Sequence, residues 1–429
     1  MSTRFKESER LLERALKIIP LGSQTFSKSK SALPWGVSPF YADRAKGSRF
    51  WDVDGNEFID FVNGLCCITL GHRDSDIDAA VLRQMESGII FSLPHRLEME
   101  LAELLVEHIP CAEMVRFSKN GTDATSGAIR LARACTGRER VAVCGYHGWQ
   151  DWYIGSTTRD LGVPKSVKML THQFLYNDLD SLESLLHAHP NEFAAIILEP
   201  MNVSPPQEGF LEGVRSLASE YGALLVFDET ITGFRYHIGG AQAYFGVTPD
   251  LATFGKGIAN GYPLSALVGR ACYMTRVEEI FFSGTFGGET LSLAAGKAVL
   301  KKLVSEPVIE TLAARGQQIV NGVEKILDRI GLSKQIGISG HPSWSFLQFR
   351  ECAPYSVWQV KTLFIQEVLK RGVYTLGTHN LSYAHSDEDV TILLACYEEV
   401  FALIANCLSR KNLEYHLECE PLEPLFKLR

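Results

Sequence analysis

The chain has 429 residues, 46% of them hydrophobic, and is therefore long enough to bury a large core and to form about two or three domains. Its formal net charge of −8 gives no general attraction for nucleic acid or for an anionic membrane, so neither is expected as a partner. No apolar stretch of about 18 residues is expected to span a bilayer, and the charged N-terminus lacks the pattern of a signal peptide. We therefore expect a cytoplasmic protein.

The central part of the chain alternates short apolar runs with helical stretches. The runs are Val115–Phe117, Val141–Cys144, Ala195–Leu198, Leu224–Phe227 and Leu264–Val268. Nearly continuous apolar strands separated by helices predict an α/β fold with a mainly parallel sheet covered on both faces. Ligands of such sheets bind at the carboxyl ends of the strands, and Glu199 and Asp228 each follow a run directly.

Further along, residues 291–304 and 309–330 are predicted long helices, and shorter strands and helices alternate from about residue 331. We therefore divide the chain into an N-terminal segment (1–70), a large domain (71–315) and a smaller C-terminal domain (316–429). The ten cysteines include no Cys-x-x-Cys pair, which predicts reduced thiols and no metal site.

A candidate phosphate site lies in the turn Ser118–Ala124. Asn120, Gly121 and Thr122 precede a helical stretch, so free backbone N–H groups, the positive end of the helix dipole and a hydroxyl are available to an anion. An ordinary turn with a helix N-cap is the alternative. Tyr146, which follows the next strand, is placed to stack on a flat cofactor or simply to pack.

Asp228 and Lys256 together indicate a particular cofactor. Each residue follows a strand-like segment, and Lys256 is flanked by glycines. A carboxylate that keeps a pyridine nitrogen protonated and a lysine that forms a Schiff base are the two groups that pyridoxal 5′-phosphate (PLP) requires of a protein. For a lysine between two glycines, a solvated loop is the alternative.

With these motifs in order, the chain resembles the class III (omega) aminotransferases of PLP fold type I, and among them the branch of glutamate-1-semialdehyde 2,1-aminomutase. The resemblance covers nearly the whole chain, and its anchors are Trp51–Phe61, Leu70–His72, Met114–Phe117, Asn120–Ala124, Tyr146–Gly148, Glu199–Pro200, Asp228–Glu229, Thr232–Arg235, Gly239–Leu251, Gly255–Gly257 and Gly284–Gly288. It implies a large PLP-binding domain with a mainly parallel sheet, and a smaller α+β domain built from the C-terminal and N-terminal segments.

The resemblance also implies roles for individual residues. Lys256 is expected to form the Schiff base and to transfer protons, and Asp228 to pair with the pyridinium. Cofactor contacts are expected from Asn120, Gly121, Thr122, Tyr146, Glu199, Thr230 and Thr285. The threonine of Gly284–Gly288 is expected to reach the phosphate of the neighbouring subunit, which implies a homodimer with shared active sites.

The chain differs from the aminomutase branch at several positions that the resemblance places near the substrate or the cofactor ring. Lys28 aligns with an arginine for the substrate carboxylate, and a lysine cannot make the same planar two-point contact. The usual tryptophan is replaced around Cys66 and Cys67, the usual valine on the ring face by Thr230, and the common asparagine after Phe-Gly-Gly by Glu289. A cavity that loses an arginine and gains a carboxylate disfavours a compact acidic substrate.

We expect a PLP-dependent aminotransferase that moves an amino group from a donor to an aldehyde or ketone by a ping-pong mechanism. An aminomutase and an inactive binding homologue are the alternatives, and the intact Lys256 and Asp228 argue against the second. Arg235 either binds a substrate carboxylate or is structural. The segment Tyr146–Tyr153 resembles a sub-branch of enzymes found in surface-polysaccharide or nucleotide-sugar pathways. A hydroxylated acceptor is therefore a further expectation.

Overall fold

The computed structural model describes residues 3–424. Its strands are β1 (Ala42–Lys46), β2 (Arg49–Asp52), β3 (Glu57–Asp60), β4 (Met114–Ser118), β5 (Arg140–Cys144), β6 (Thr171–Gln173), β7 (Phe193–Leu198), β8 (Leu224–Asp228), β9 (Leu251–Phe254), β10 (Ser265–Gly269), β11 (Ile336–His341), β12 (Trp344–Phe349), β13 (Val373–Tyr374) and β14 (Thr378–Asn380).

The α-helices of the described residues are α1 (Lys6–Ala15), α2 (Asn63–Cys66), α3 (Ser75–Ser87), α4 (Arg96–His108), α5 (Gly121–Thr136), α6 (Asp151–Ile154), α7 (Lys165–Lys168), α8 (Leu179–Ala188), α9 (Phe210–Glu220), α10 (Gly240–Phe245), α11 (Ala271–Met274), α12 (Thr290–Ser305), α13 (Val308–Ile330), α14 (Val357–Lys370) and α15 (Asp387–Arg410). One short 3-10 helix, Lys256–Ala259, follows β9.

The chain forms two compact units. The terminal unit contains residues 3–65, 70–74 and 310–424, and the sheet unit contains residues 66–69 and 75–309. The limits that the sequence suggested at residues 70 and 315 remain a prediction.

The sheet unit is built on seven strands in the order β4-β10-β9-β8-β7-β5-β6. Strand β10 is antiparallel to β4 and β9, and the remaining neighbouring strands are parallel. The mainly parallel α/β sheet is therefore confirmed, and all five apolar runs are strands within it. Strands β6 and β9 were not among those runs.

Burial on both faces explains the continuous apolar sequence of the central strands. Every residue of β7, β8 and β9 is buried. On one face, Ala195, Ile197 and Val226 share a core cluster with Ala128 and Ala132 of α5. Because side chains alternate between the two faces, the intervening strand residues need apolar surroundings of their own.

The sheet brings several chain segments to one edge. The parallel register pairs Cys144 with Leu198, Leu198 with Phe227, and Asp228 with Thr253. The carboxyl ends of β5, β7, β8 and β9 therefore lie side by side. The residues that immediately follow these strands are the ones on which the functional interpretation of the sequence depends.

The terminal unit is an α+β assembly made from both ends of the chain, as the resemblance implied. Its sheets have the strand orders β1-β2-β3-β13 and β11-β12-β14. Strand β13 pairs in parallel with β3, with Val373 opposite Ile59. This pairing joins segments that are far apart in sequence.

Helix α15 differs from the expectation that no apolar stretch of the chain is long enough to span a bilayer. Asp387–Arg410 is long and apolar enough to span a membrane by length and composition alone. Nevertheless, its side chains Leu393, Tyr397 and Phe401 are fully buried, and Tyr397 and Phe401 contact Phe364 of α14. This packing accounts for the apolar sequence as that of a core helix.

Candidate active site

The predicted phosphate turn lies at the N-terminus of α5, with Asn120 as N-cap. The Asp123 carboxylate accepts a hydrogen bond of 2.8 Å from the backbone N–H of Asn120 and so fixes the turn. The Oγ1 atom of Thr122 is buried, and no group among residues 3–424 forms a hydrogen bond with it. A buried hydroxyl at the positive end of a sixteen-residue helix is a site for an anion.

Two glycines shape the segment that follows β5. Gly145 has a φ of +109°, and a Cβ there would lie 2.5 Å from Oε2 of Glu199. Gly148 has a φ of +112°, and a Cβ there would lie closer than 3.0 Å to Oγ1 of Thr122. Only glycine combines this backbone with such close approach, so the segment between them is pressed against both groups.

Gly148→Ala is expected to weaken PLP binding by about tenfold or more, since the new methyl group must displace the Thr122 hydroxyl and strain the backbone. Equilibrium titration of the cofactor-free protein measures this effect. Gly137→Ala is a matched control, because Gly137 also has a positive φ, +67°, but has open space where its Cβ would be. Equal PLP affinities for the two variants would contradict the assignment of the Thr122 turn.

Asp228 ends β8 and is held by four hydrogen bonds. Its Oδ1 accepts from the backbone N–H of Thr230 at 3.1 Å, from the Thr230 hydroxyl at 2.6 Å and from the Thr253 hydroxyl at 3.1 Å. Its Oδ2 lies 2.9 Å from Nδ1 of His147. Burial by itself raises the pKa of Asp228, but the contacts with His147 and Thr230 outweigh it and hold the pKa below its usual value.

His147 is a functional residue that the sequence analysis passed over. It is 1% exposed, its Nε2 has no hydrogen-bond partner among the described residues, and its carbonyl accepts from the Thr125 hydroxyl at 2.8 Å. Because His147 contacts the Asp228 carboxylate, we infer that it orients that carboxylate. The histidine of the Tyr-His-Gly motif was visible in sequence, but its partner lies 81 residues away.

Glu199 and Tyr146 lie together beside Asp228. Oε2 of Glu199 accepts from the backbone N–H of Tyr146 at 3.0 Å and from Nδ2 of Asn202 at 2.9 Å. Burial, followed by the nearby charge of Asp228, raises the pKa of Glu199. The Tyr146 side chain is 47% exposed, which leaves ring surface for a flat ligand.

Glu229 has a different role from its neighbour Asp228. It is buried and accepts hydrogen bonds from the backbone N–H groups of Ala241 and Gln242 and from the Thr232 hydroxyl. Its carboxylate therefore caps the N-terminus of α10. The two acids therefore have separate partners, and Asp228, which contacts His147, is the member of the pair at the site.

Lys256 is the second residue after β9 and has a left-handed backbone, with a φ of +45°. A left-handed lysine is a strained conformation that persists only where the surroundings fix it. Gly255 packs against Gly121 and Thr230, since a Cβ on Gly255 would lie 3.2 Å from Cγ2 of Thr230. This packing links the lysine turn to the phosphate turn.

The segment 66–69 also packs on the lysine turn. The backbone N–H of Thr69 donates to Oδ1 of Asn260 at 2.9 Å. Burial raises the pKa of the Cys66 thiol, and the charges of Arg235 and Lys256 act in the opposite direction. Cys66, one of the residues that replace the tryptophan expected from the resemblance, therefore lies near Arg235 and Lys256.

The predicted substrate residues have different locations. Arg235 is fully buried in the sheet unit near Cys66. Lys28 belongs to the terminal unit, where it is exposed at the end of a short 3-10 turn, Phe26–Lys28. Their substrate roles remain predictions.

The substrate role of Glu289 remains a prediction, but its carboxylate already has partners within the chain. Its oxygens accept hydrogen bonds from the backbone N–H groups of Leu291 and Ser292, and Oε2 lies 2.9 Å from Nζ of Lys119. Glu289 is therefore the N-cap of α12 and one half of an ion pair. Thr285, four residues earlier in the same loop, is exposed in the single chain.

These residues fit PLP. The buried, unpartnered hydroxyl of Thr122 and the start of α5 suit its phosphate, and the Asp228 carboxylate, whose pKa is low, suits its ring nitrogen. Tyr146 offers an aromatic face, and Lys256 offers a primary amine at the same edge of the sheet. The fold and this set of groups define a PLP-dependent transferase.

Comparison with known proteins identifies the family. The sequence profile of class-III aminotransferases matches residues 33–386, and the chain belongs to that family. The narrower aminomutase branch remains a prediction.

Named relatives agree with this assignment. The chain is 36% identical over 415 residues to the 3-aminobutyryl-CoA aminotransferase of Cloacimonas acidaminovorans, covering 94% of this chain and 99% of that protein. The FumI protein of Sphingopyxis sp. MTA144, solved in its PLP internal aldimine form, superposes with a TM-score of 0.88 at 32% identity, covering 98% and 99% of the two chains. A β-phenylalanine aminotransferase from Variovorax paradoxus superposes at 0.84 with 27% identity, covering 95% of each.

Proposed function

We propose that the amino donor of this PLP-dependent aminotransferase carries its amino group on the carbon atom β to an acyl group. The observation that carries the proposal is the 36% identity, over nearly the full length of both chains, to a protein named for 3-aminobutyryl-CoA. The β-phenylalanine aminotransferase similarity supports the same substrate class. PLP, when bound, supplies the electron-withdrawing ring and the aldehyde through which amino groups are exchanged.

The residues of this chain have defined parts in that reaction. Asp228, held by His147, Thr230 and Thr253, places a negative charge opposite the ring nitrogen. The amine of Lys256 attaches the cofactor and moves the proton at the donor carbon that bears the amino group. Other proposed cofactor contacts come from Asn120, Gly121, Thr122, Tyr146, Glu199, Thr230 and Thr285.

Donor screening by single half-turnover spectroscopy tests the substrate class. We expect 3-aminobutyryl-CoA, 3-aminobutyrate or β-phenylalanine to change the cofactor absorption faster than glutamate or alanine. A preference for α-amino donors over all three β-amino compounds would reject the proposed class. Isomerisation of one compound without any added acceptor would instead identify an aminomutase.

We further propose that the protein is a cytoplasmic homodimer that binds neither nucleic acid nor membrane. Large apolar side chains are exposed on neighbouring segments of the sheet unit, at Ile90, Phe91, Leu93 and Phe286. Exposed apolar surface of this kind is typical of subunit interfaces. All ten cysteines are free, which suits a reducing compartment.

Thr285→Ala is expected to weaken PLP binding by about one to two orders of magnitude, because a hydroxyl-to-phosphate hydrogen bond is worth roughly 1.5 to 3 kcal/mol. Mixed dimers of Thr285→Ala and Lys256→Ala chains locate the contact. If Thr285 serves the partner, both lesions fall in one active site, and the other keeps wild-type PLP affinity with about half the activity of the dimer. Activity that requires the high PLP concentration of the single mutant would rule out the shared site.

A further inference from the structure

The loop from Phe281 to Glu289, called here the 281–289 loop, is fixed at its first end. The Arg116 guanidinium donates two hydrogen bonds to the carbonyl of Phe282, at 3.2 and 3.0 Å, and Arg130 donates to the carbonyl of Phe281 at 2.9 Å. The Phe282 ring lies against Gly127 of α5, where a Cβ would come within 2.6 Å of it. The loop therefore starts on β4 and α5, the two elements that flank the phosphate turn.

Its second end is fixed to the phosphate turn itself. Oε2 of Glu289 lies 2.9 Å from Nζ of Lys119, and the two side chains are only 14% and 17% exposed. Burial by itself raises the pKa of Glu289, but the contacts with Ser292, Lys119 and the backbone of Leu291 outweigh it and hold the pKa below its usual value. Lys119 immediately precedes Asn120, the N-cap of α5, so the pair joins two helix N-termini that are 170 residues apart.

Between these fixed ends the loop faces outward. Gly284 has no neighbouring atom within 4 Å of the position of a Cβ, Thr285 is exposed, and the Phe286 side chain is 57% exposed. A loop with a fixed base and an exposed tip presents the tip in one geometry. It loses less conformational entropy when the tip is bound than a free loop would lose.

We propose that Lys119 and Glu289 are positioning residues for the cofactor site of the partner subunit. Their ion pair fixes the base of the 281–289 loop to the phosphate turn of its own chain, and the loop carries Thr285 to the phosphate bound by the partner. The inference rests on the proposed shared site. Glu289 replaces an asparagine that is common in the family, and the proposed ion pair gives this glutamate a role that does not involve the substrate.

Cofactor titration of three variants tests the pair. PLP is added to cofactor-free Glu289→Gln, Lys119→Met and the double variant, and the cofactor fixed to Lys256 by borohydride is measured by mass spectrometry. Each single variant is expected to bind PLP about five- to tenfold more weakly, and the double variant no more weakly than the singles. Lys119→Met leaves the cap of α12 intact, so it remains informative if Glu289→Gln fails to fold.

A matched control is Arg276→Gln, which breaks the more exposed pair between Arg276 and Glu279. It is expected to leave PLP affinity unchanged. Wild-type affinity in both Glu289→Gln and Lys119→Met would overturn the proposal.

Mixed dimers decide which site the pair serves. In a dimer with one Lys256→Ala chain, borohydride fixes cofactor only at the intact lysine. Glu289→Gln placed in the Lys256→Ala chain should weaken fixation, and placed in the other chain it should not. The reverse pattern would show that the pair acts on its own site and would overturn the inference.

Thr285→Ala separates this inference from the proposal on which it rests. If Thr285→Ala leaves PLP affinity unchanged, the shared site is wrong and the positioning role is lost with it. If Thr285→Ala weakens PLP binding while the Lys119 and Glu289 variants do not, the shared site stands and only the positioning role is rejected.

Discussion

Lys256→Ala is expected to lower turnover by at least about 10³-fold while leaving the fold intact, because in the proposed function one amine both attaches the cofactor and moves the substrate proton. Lys256 lies in a strained turn at the end of β9, between glycines that pack on the phosphate turn and on Thr69. The phosphate and ring contacts remain, so PLP binding persists. Turnover and borohydride fixation, read by peptide mass, measure the two functions separately.

The matched control for this substitution is Lys165→Ala, which removes an exposed lysine at the start of α7. It should keep wild-type turnover and wild-type fixation of the cofactor. Turnover near the wild-type level in Lys256→Ala, or fixation of the cofactor at another lysine, would show that Lys256 is not the residue that attaches the cofactor and moves the proton.

Asp228→Asn is expected to slow proton removal from the donor by roughly two to four orders of magnitude, the range for loss of a major electrostatic contribution. An asparagine keeps the shape of the buried side chain but carries no charge opposite the ring nitrogen. PLP affinity should fall much less than the rate, since the phosphate contacts are separate. Single-turnover rates with a donor deuterated at the reacting carbon measure the affected step.

The neighbouring acid provides the control. Glu229→Gln changes a carboxylate that caps α10 and contacts Thr232 and Gln242. It should reduce the free energy of unfolding by about 1–3 kcal/mol, the effect of weakening buried hydrogen bonds to a charged group, with a smaller effect on the rate. An Asp228→Asn rate within about threefold of the wild type would show that Asp228 is not the partner of the ring nitrogen.

Much of the fold was predictable because it depends on local sequence. The apolar runs at Ala195–Leu198 and Leu224–Phe227 predicted strands of a sheet covered on both faces, and both are central strands. Strand β9 (Leu251–Phe254) was indicated only as the strand-like segment before Lys256 and was not among the five apolar runs. The periodicity of a short apolar run does not by itself distinguish a strand from a segment of a buried helix.

The substrate side was less predictable. Glu289 was predicted to be a substrate residue because it replaces an asparagine of the family, and the structure adds that its carboxylate caps α12 and pairs with Lys119. The free backbone N–H groups at a helix N-terminus and a nearby lysine both attract a carboxylate. Sequence alone does not show which of these contacts a side chain will make.

The sequence by itself determined the family, the cofactor and the alternation of strands and helices, because these follow from motifs and periodicities within a few residues of each other. Only the tertiary structure decided that Glu229 caps α10, that His147 orients Asp228, and that Lys119 pairs with Glu289. The partners in the last two contacts are 81 and 170 residues apart. Such contacts depend on strand register and helix placement, which the packing of the whole unit sets and no local pattern encodes.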